Sequence, residues 1–294
     1  MTKVLVTGGA GFLGSHVADA LSAQGFEAII FDRKPSPYLQ PDQKMIVGDI
    51  LDRSAVDSAI DGCDTVYHLA ALADLNEARS RPVEAAQLNI LGTINLLEAA
   101  RQTKVRRFLF ASTIYVYSRE GGFYRASKQA CEAYIEEYQR QFDLEYTIVR
   151  YGSLYGPRAD EHNGVYRLLM QAVNTGRIQH VGTPDDAREY VHVEDAARLS
   201  VDVLAEMYAN QHIIITGHHP IRLHDLFMMF SEILDRKIDV EYVTPETGSR
   251  DGHYQITPYA FTPRVGHKLT SNYYVDMGQG LLQILEEAHR TKQK

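Results

Sequence analysis

Tyr124 and Lys128 are four residues apart, and Ser112 and Thr113 precede them by a short interval. On a helix, a spacing of four puts both side chains on one face. An ammonium beside a phenol favours the phenolate and is expected to lower the tyrosine pKa from its usual value near ~10. The pair then becomes a general base. With 18 Tyr in the chain, a Tyr-x-x-x-Lys string also arises by chance, so position decides its weight. Here it follows Phe108–Ser112, an apolar run that reads as a strand, and the hydroxyls lie at that strand's C-terminal end, where α/β sheets bind ligands.

A second group sits near the N-terminus, Thr7-Gly8-Gly9-Ala10-Gly11-Phe12-Leu13-Gly14. Gly8, Gly11 and Gly14 follow an apolar run and open a helical pattern. Glycines there allow a tight turn and a close approach of a pyrophosphate to a helix N-terminus. Asp32 ends the next apolar run and is placed to accept both ribose hydroxyls of an adenosine, which favours NAD over NADP. Arg33 beside it could instead take a 2′-phosphate. Asp49-Ile50 would sit near the adenine, or Asp49 would cap a helix over Ser54–Ile60.

The elements that must position these groups read as alternating strands and helices. Val4–Thr7, Ala28–Asp32, Met45–Val47, Thr65–Leu69, Phe108–Ser112 and Tyr146–Tyr151 are apolar without polar alternation, as suits strands buried on both faces. Helical spacing fills Ser15–Gln24, Ser54–Ile60, Val83–Gln102 and Tyr124–Phe142. The expected fold is α/β, a doubly wound parallel sheet of the Rossmann type. A smaller, loop-rich C-terminal part is expected to bind substrate, since turn signals multiply after about residue 155.

These motifs resemble the extended short-chain dehydrogenases. The resemblance rests on Thr7–Gly14, His68-Leu69-Ala70-Ala71, Asn89-x-x-Gly92-Thr93, Ser112-Thr113, Tyr124-x-x-x-Lys128, Arg150 with Tyr155-Gly156-Pro157, and Arg188-Glu189-Tyr190-Val191-His192-Val193. Within that superfamily the chain is similar to the NAD-dependent nucleotide-sugar epimerases and dehydratases, with UDP-galactose 4-epimerase as prototype.

The resemblance implies hydride shuttling at a sugar carbon, usually C4, by bound NAD. Tyr124 would deprotonate the sugar hydroxyl, Thr113 would hydrogen-bond the same oxygen, and Lys128 would hold the nicotinamide ribose and tune Tyr124. NAD would lie along Gly8, Gly11, Phe12, Leu13, Gly14, Asp32, Arg33, Asp49, Ile50, Leu69, Ala70, Ala71, Asn89, Ser112 and Lys128. Substrate, a nucleotide-diphosphate sugar, would meet Thr113, Tyr124, Ser153, Arg188 and Arg250. Arg188 could alternatively form a surface ion pair with Asp185 or Asp186. The implied division is a cofactor domain over 1–155, rejoined by 189–208, and a substrate domain from 156–188 and 209–294. A homodimer through the helices Val83–Gln102 and Tyr124–Phe142 is implied too.

Three departures narrow the activity. Ser112 to Tyr124 spans 12 residues, about half the family's usual interval, so the loop over the sugar is short. Ser153 stands where the family has a substrate-contacting asparagine. Ile114 and Tyr115 occupy the positions of the dehydratases' acidic pair, and neither can protonate a C6 leaving group as a carboxylic acid would. The second of these positions is a glutamate in the decarboxylases, which are disfavoured on the same ground. Epimerisation at C4 is therefore expected, with a 4-dehydrogenase or ketoreductase as the alternative within the family. A non-catalytic NAD-sensing regulator is the alternative outside it, and it would have no need of Thr113, Tyr124 and Lys128.

Composition excludes other classes. Across 294 residues the net charge is −8, which argues against nucleic acid or anionic membranes as partners. No apolar run approaches the ~20 residues of a membrane span. Val4-Leu5-Val6 runs straight into glycines and is not read as a signal peptide. Two cysteines suit reduced thiols and a cytoplasmic location. His218, His219 and His224 lack ligand spacing, so no metal is expected.

Overall fold

The computed structural model describes residues 2–243 and Pro258. Arg250, and nearly all of the turn-rich segment 244–272, lie outside the described residues. In chain order the elements are β1 (Lys3–Thr7), α1 (Phe12–Ala23), β2 (Glu27–Asp32), β3 (Lys44–Val47), α2 (Arg53–Ile60), β4 (Thr65–His68), α3 (Leu75–Ser80), α4 (Pro82–Ala86), α5 (Gly92–Thr103), β5 (Arg107–Thr113), α6 (Gly122–Phe142), β6 (Glu145–Tyr151), β7 (Ser153–Tyr155), α7 (Gly164–Thr175), β8 (Arg177–Val181), β9 (Ala187–His192), α8 (Val193–Asp202), β10 (Gln211–Ile215), β11 (Pro220–Arg222), α9 (Leu223–Ile233) and β12 (Asp239–Val243).

Seven strands form one sheet in the order β10-β6-β5-β4-β1-β2-β3, and every pairing in it is parallel. Strand side chains alternate between two apolar clusters, one on each face. Leu5, Phe31, Val66, Phe108, Phe110 and Ile148 meet helices α2, α5 and α6 on one side. Val4, Val6, Ile30, Tyr67, Leu109 and Val149 meet α1 and α8 on the other. This two-sided burial explains why the strands read as continuous apolar runs. The strand order reverses between β1 and β4, and such a switch point opens a crevice at the C-terminal strand ends. A third cluster, with Leu168, Ile178, Phe227 and Phe230, joins α7, β8 and α9. Two small sheets, β11-β9-β7 and β12-β8, accompany it.

Two expectations are corrected. Residues 211–215 belong to the main sheet as its edge strand β10 and not to a substrate domain. Their run His212-Ile213-Ile214-Ile215 is short and sits among turn signals, which hid it. The helix expected over Val83–Gln102 is two helices joined by a widened π turn at Gln87–Leu91. The preceding α3 was not anticipated. Asp74 caps it, accepting from the Asn76 and Glu77 amides at 2.9 and 2.8 Å.

Arg107 ties the far edge of the sheet together from a fully buried position. Its guanidinium donates to Glu145 at 3.2 Å, to Glu206 at 3.0 Å and to the Ala205 carbonyl at 3.3 Å. Arg107 is fully buried while Glu145 and Glu206 are solvent-accessible, so truncating it forfeits its packing and every one of these bonds, whereas truncating an exposed partner leaves the other in place. Arg107→Ala is expected to lose about 3 kcal/mol in urea denaturation, and Glu206→Ala, whose carboxylate is exposed, less than about 1. Equal losses for the two variants would contradict this account.

Candidate functional site

A cleft of about 560 Å³ runs along the C-terminal ends of the central strands. At one end β1 turns into α1. Gly8 has φ +71°, and a Cβ there would stand 2.6 Å from the Ala70 amide nitrogen. A Cβ on Gly14 would stand 2.1 Å from the Gly8 carbonyl oxygen, so neither position accepts a side chain without moving backbone. Gly11 caps α1 without a side-chain acceptor, which leaves first-turn amides free of a side-chain cap at the cleft. Such amides and the helix dipole suit a pyrophosphate.

Asp32 fixes the next part. Its Oδ2 accepts from the Ala10 amide and its Oδ1 from the Lys34 amide, each at 3.2 Å. Each oxygen keeps a lone pair for a ribose hydroxyl. Arg33, Asp49 and Ile50 line the cleft beside it, and Leu69, Ala70 and Ala71 form its wall. Asp49 is not the cap of α2; Asp52 takes that role, accepting from Ser54 and Ala55, while Asp49 accepts from Leu51 at 2.9 Å. The cradle therefore fits a dinucleotide, with Phe12 and Leu13 lining it where α1 begins.

Asn89 is buried. Its amide accepts from the Leu72 nitrogen at 2.7 Å and donates to the Leu72 carbonyl at 3.1 Å and Ser127 at 2.9 Å. These bonds tie Asn89 to Leu72 and Ser127.

At the other end stand Thr113, Tyr124 and Lys128. Thr113 closes β5, and its side chain hydrogen-bonds Tyr124. Burial pushes the Tyr124 phenol up to about 12, with Thr113 pulling the other way. The lowering expected from Lys128 is thus not observed, and burial sets the direction of the shift. Lys128 donates to the Ala111 carbonyl at 2.7 Å and lies 4.5 Å from the Phe110 ring centroid and 5.8 Å from that of Tyr124. Burial pulls its ammonium down to about 8. Ser112 lines the cleft, but its hydroxyl is turned onto Glu132 at 2.5 Å.

Ser153 on β7 and Arg188 on β9 border the same cleft. Asp74, Asn76, His162, Asn163 and Arg167 border it too and were not anticipated. Asp74 with Glu77 had a readable signal, the spacing of a helix N-cap. Asn163 caps α7 through the Tyr166 amide at 3.1 Å, which aims Arg167 one turn on. Nothing in the local pattern distinguished Arg167 from a surface arginine. Tyr115, in the position of the absent dehydratase acid, packs edge-on to Tyr124 with ring centroids 6.5 Å apart, and Ile114 is buried.

Comparison with known proteins agrees with this geometry. Residues 4–216 match the profile of the NAD dependent epimerase/dehydratase family. The chain is 30% identical over 219 residues to a UDP-glucose 4-epimerase of Mycolicibacterium smegmatis, spanning 66% of this chain and 70% of that one. A Thermotoga maritima UDP-glucose 4-epimerase solved with UDP-glucose superposes with a TM-score of 0.80 at 27% identity, covering 89% of this chain and 90% of that chain. A Thermus thermophilus UDP-glucose 4-epimerase solved with NAD gives 0.77 at 28% identity, covering 90% and 95%.

Two outcomes follow from the cleft. Asp32 should repel a 2′-phosphate, so calorimetry is expected to show tighter binding of NAD than of NADP, with the gap narrowed in Asp32→Ala. Equal binding of both dinucleotides by the unmutated protein would refute this. The second concerns Lys128. An unfolded lysine keeps its proton to about 10.5, whereas the buried one releases it near 8. Between these values the unfolded chain binds more protons, so the parent gains stability as pH rises. Lys128→Met lacks that gain. Its stability relative to the parent should fall by about 2–3 kcal/mol between pH 7 and 10 in NAD-free urea melts. A pH-independent difference would overturn the assignment.

Proposed function

Because the chain belongs to the NAD dependent epimerase/dehydratase family, and is an NAD-dependent enzyme of the extended short-chain dehydrogenase type, we propose that it epimerises a nucleotide-diphosphate sugar at C4 through a transient 4-keto sugar. The observation that carries this reading is the convergence of Thr113, Tyr124 and Lys128 at one end of a cleft whose other end holds Gly8, Gly11 and Asp32.

Gly8, Gly11, Gly14 and Asp32 would hold NAD, which would supply a hydride acceptor and donor at the sugar carbon. Tyr124 takes the hydroxyl proton as the hydride leaves and gives it back when the hydride returns. Thr113 bonds the same phenol and helps hold the substrate oxygen. The phenolate fraction would limit the rate at neutral pH, since burial holds Tyr124 near 12, and a charged Lys128 at 5.8 Å from its ring centroid would favour the phenolate. Rate should therefore climb with pH until Lys128 loses its proton. Ser153 and Arg188 border the substrate end, where Arg188 suits a diphosphate. Arg250 would add to it from beyond the described residues. The apolar pair Ile114 and Tyr115 offers no carboxylic acid for expelling a C6 substituent, which favours epimerisation over dehydration.

A homodimer is part of the proposal. Tyr134 and Phe142 expose apolar surface on α6, 45% and 50% accessible, as a helix pairing with a second copy requires. Cys63 and Cys131 are both free, in keeping with the cytoplasm. Among the described residues no helix is long and apolar enough to cross a membrane.

Incubation with a panel of nucleotide sugars, read by NMR and by absorbance of NADH, tests the function. The expected product is the C4 epimer, with no net NADH and no 4-keto-6-deoxy sugar; stoichiometric NADH would instead establish the dehydrogenase. Tyr124→Phe keeps the ring and its packing and should lower turnover by about 10²–10⁴. NAD affinity should hardly change. Thr113→Val should lose less, since it forfeits a hydrogen bond and not the proton transfer. A folded Tyr124→Phe protein within a few-fold of the parent would remove Tyr124 from this role.

A further inference from the structure

Three consecutive residues at the end of β5 are each fastened to α6. The Ala111 carbonyl takes the Lys128 ammonium at 2.7 Å, the Ser112 hydroxyl donates to Glu132 Oε1 at 2.5 Å, and Thr113 bonds Tyr124. The three α6 residues are spaced by four, so they form one stripe along the helix. Tyr124 and Lys128 belong to the reaction just proposed, and Glu132 is absorbed by none of it.

Glu132 is 7% exposed, an unusual setting for a carboxylate. Arg150 answers it from β6, donating from Nε to Oε1 at 3.0 Å and from Nη2 to Oε2 at 2.6 Å. Ser112 and Arg150 are direct partners in the β5–β6 pairing. One carboxylate on α6 therefore grips the same rung of two neighbouring strands. The remaining Arg150 nitrogen donates to the Tyr117 hydroxyl at 2.5 Å, and the guanidinium lies 4.8 Å from that ring's centroid. A bidentate pair of this kind fixes angle as well as distance.

We propose that Glu132 is a positioning residue for the reaction: by locking α6 to the Ser112–Arg150 rung it sets the height of Tyr124 over Thr113 and of Lys128 over Ala111, and it places a fixed negative charge one helical turn from Lys128. Without that lock the polar fastenings of the stripe to the end of β5 are the two reacting side chains, which on the proposed reading must also engage substrate and cofactor. The carboxylate also works to keep Lys128 protonated against the cost of burial. The inference rests on the Tyr124–Lys128 reading for its consequence on turnover, but its geometric content does not.

The test uses full-length Glu132→Gln and Glu132→Asp, with Tyr124→Phe as control. Glu132→Gln keeps the size and loses the charge. Its kcat should fall roughly 10- to 100-fold, as expected for reacting groups displaced by about 1 Å, with KM and NAD affinity changing far less. The alkaline limb of its pH–rate profile should move to lower pH. Lysine-labelled NMR of the NAD-free protein reads Lys128 directly, and its titration should also shift to lower pH, whatever the substrate proves to be. Glu132→Asp keeps the charge but not the reach, so it should lower kcat while leaving the Lys128 titration near that of the parent.

A Glu132→Gln protein with parental kcat and parental Lys128 titration would overturn the proposal. So would a kcat loss that matched only the loss of folded protein. If Glu132→Gln does not fold, Glu132→Leu/Arg150→Met removes both charges together and avoids a lone buried cation; a parental kcat there would overturn it equally. If Tyr124→Phe keeps full activity, the catalytic reading has failed, and the Lys128 titration still decides the fate of Glu132.

Discussion

The buried ammonium of Lys128 is the constraint on which the site depends. It is 2% exposed and accepts its charge at a cost, as its lowered pKa records. What holds it is modest: one carbonyl, the face of Phe110, and a carboxylate one turn along the helix. Phe110 and Ala111 are consecutive residues of β5, and both contacts require that strand to end in a fixed place relative to α6. The parallel neighbours β4 and β6 fix the strand, and the apolar cluster containing Cys131, Ile135 and Tyr138 fixes the helix. A large part of the fold is thus the means of keeping one cation in an unfavourable position, 5.8 Å from the ring centroid of a buried phenol.

The opposite end of the cleft works by absence of bulk. Gly8 and Gly14 let a turn, a helix and the β4 loop approach within distances that no side chain permits. Asp32 is then aimed by two backbone amides, and on the proposed reading its carboxylate discriminates among ribose substituents. Between these ends lies a core residue of a different sort. His68 is fully enclosed, bonded to Thr7 on one side and Thr93 on the other, and burial holds it well below its usual pKa. A neutral imidazole bridges the glycine turn to α5, linking the cofactor end to the wall that Asn89 and Leu72 build near Tyr124.

The sequence showed the sheet and both ends of the cleft because each depends on local rules. Strands buried on both faces must be apolar throughout, a glycine turn must be made of glycines, and a helical pair must be spaced by four. What it hid depends on partners far away in sequence. Asn89 matched a motif, yet its side chain is engaged by Leu72 and Ser127. The lowering expected of Tyr124 followed from spacing alone, while the actual shift follows from burial, which spacing does not encode. β10 was lost because a strand of five residues at a sheet edge carries no periodicity of its own. Arg167 and His162 reach the cleft only through the path of the chain between β7 and α7, set by Asn163 and its bond to the Leu154 carbonyl at 2.8 Å.

The short interval between Ser112 and Tyr124 has a structural consequence that bears on how the proposed chemistry stays confined. Twelve residues leave room for one turn of helix at Ile114–Tyr117 and a glycine pair where α6 begins. Gly121, at φ +89°, presses so close to Tyr115 that a Cβ would stand 2.8 Å from its ring. Tyr115 is therefore wedged between the loop and Tyr124, and Ile114 is driven into the core. An apolar wall takes the place from which a carboxylic acid would otherwise act on C6. On the proposed reading, a keto sugar formed beside Ile114 and Tyr115 meets no carboxylic acid at those two positions, which favours return of the hydride. The short interval thus holds Tyr115 between Gly121 and Tyr124, and on the proposed reading that contact narrows the reaction.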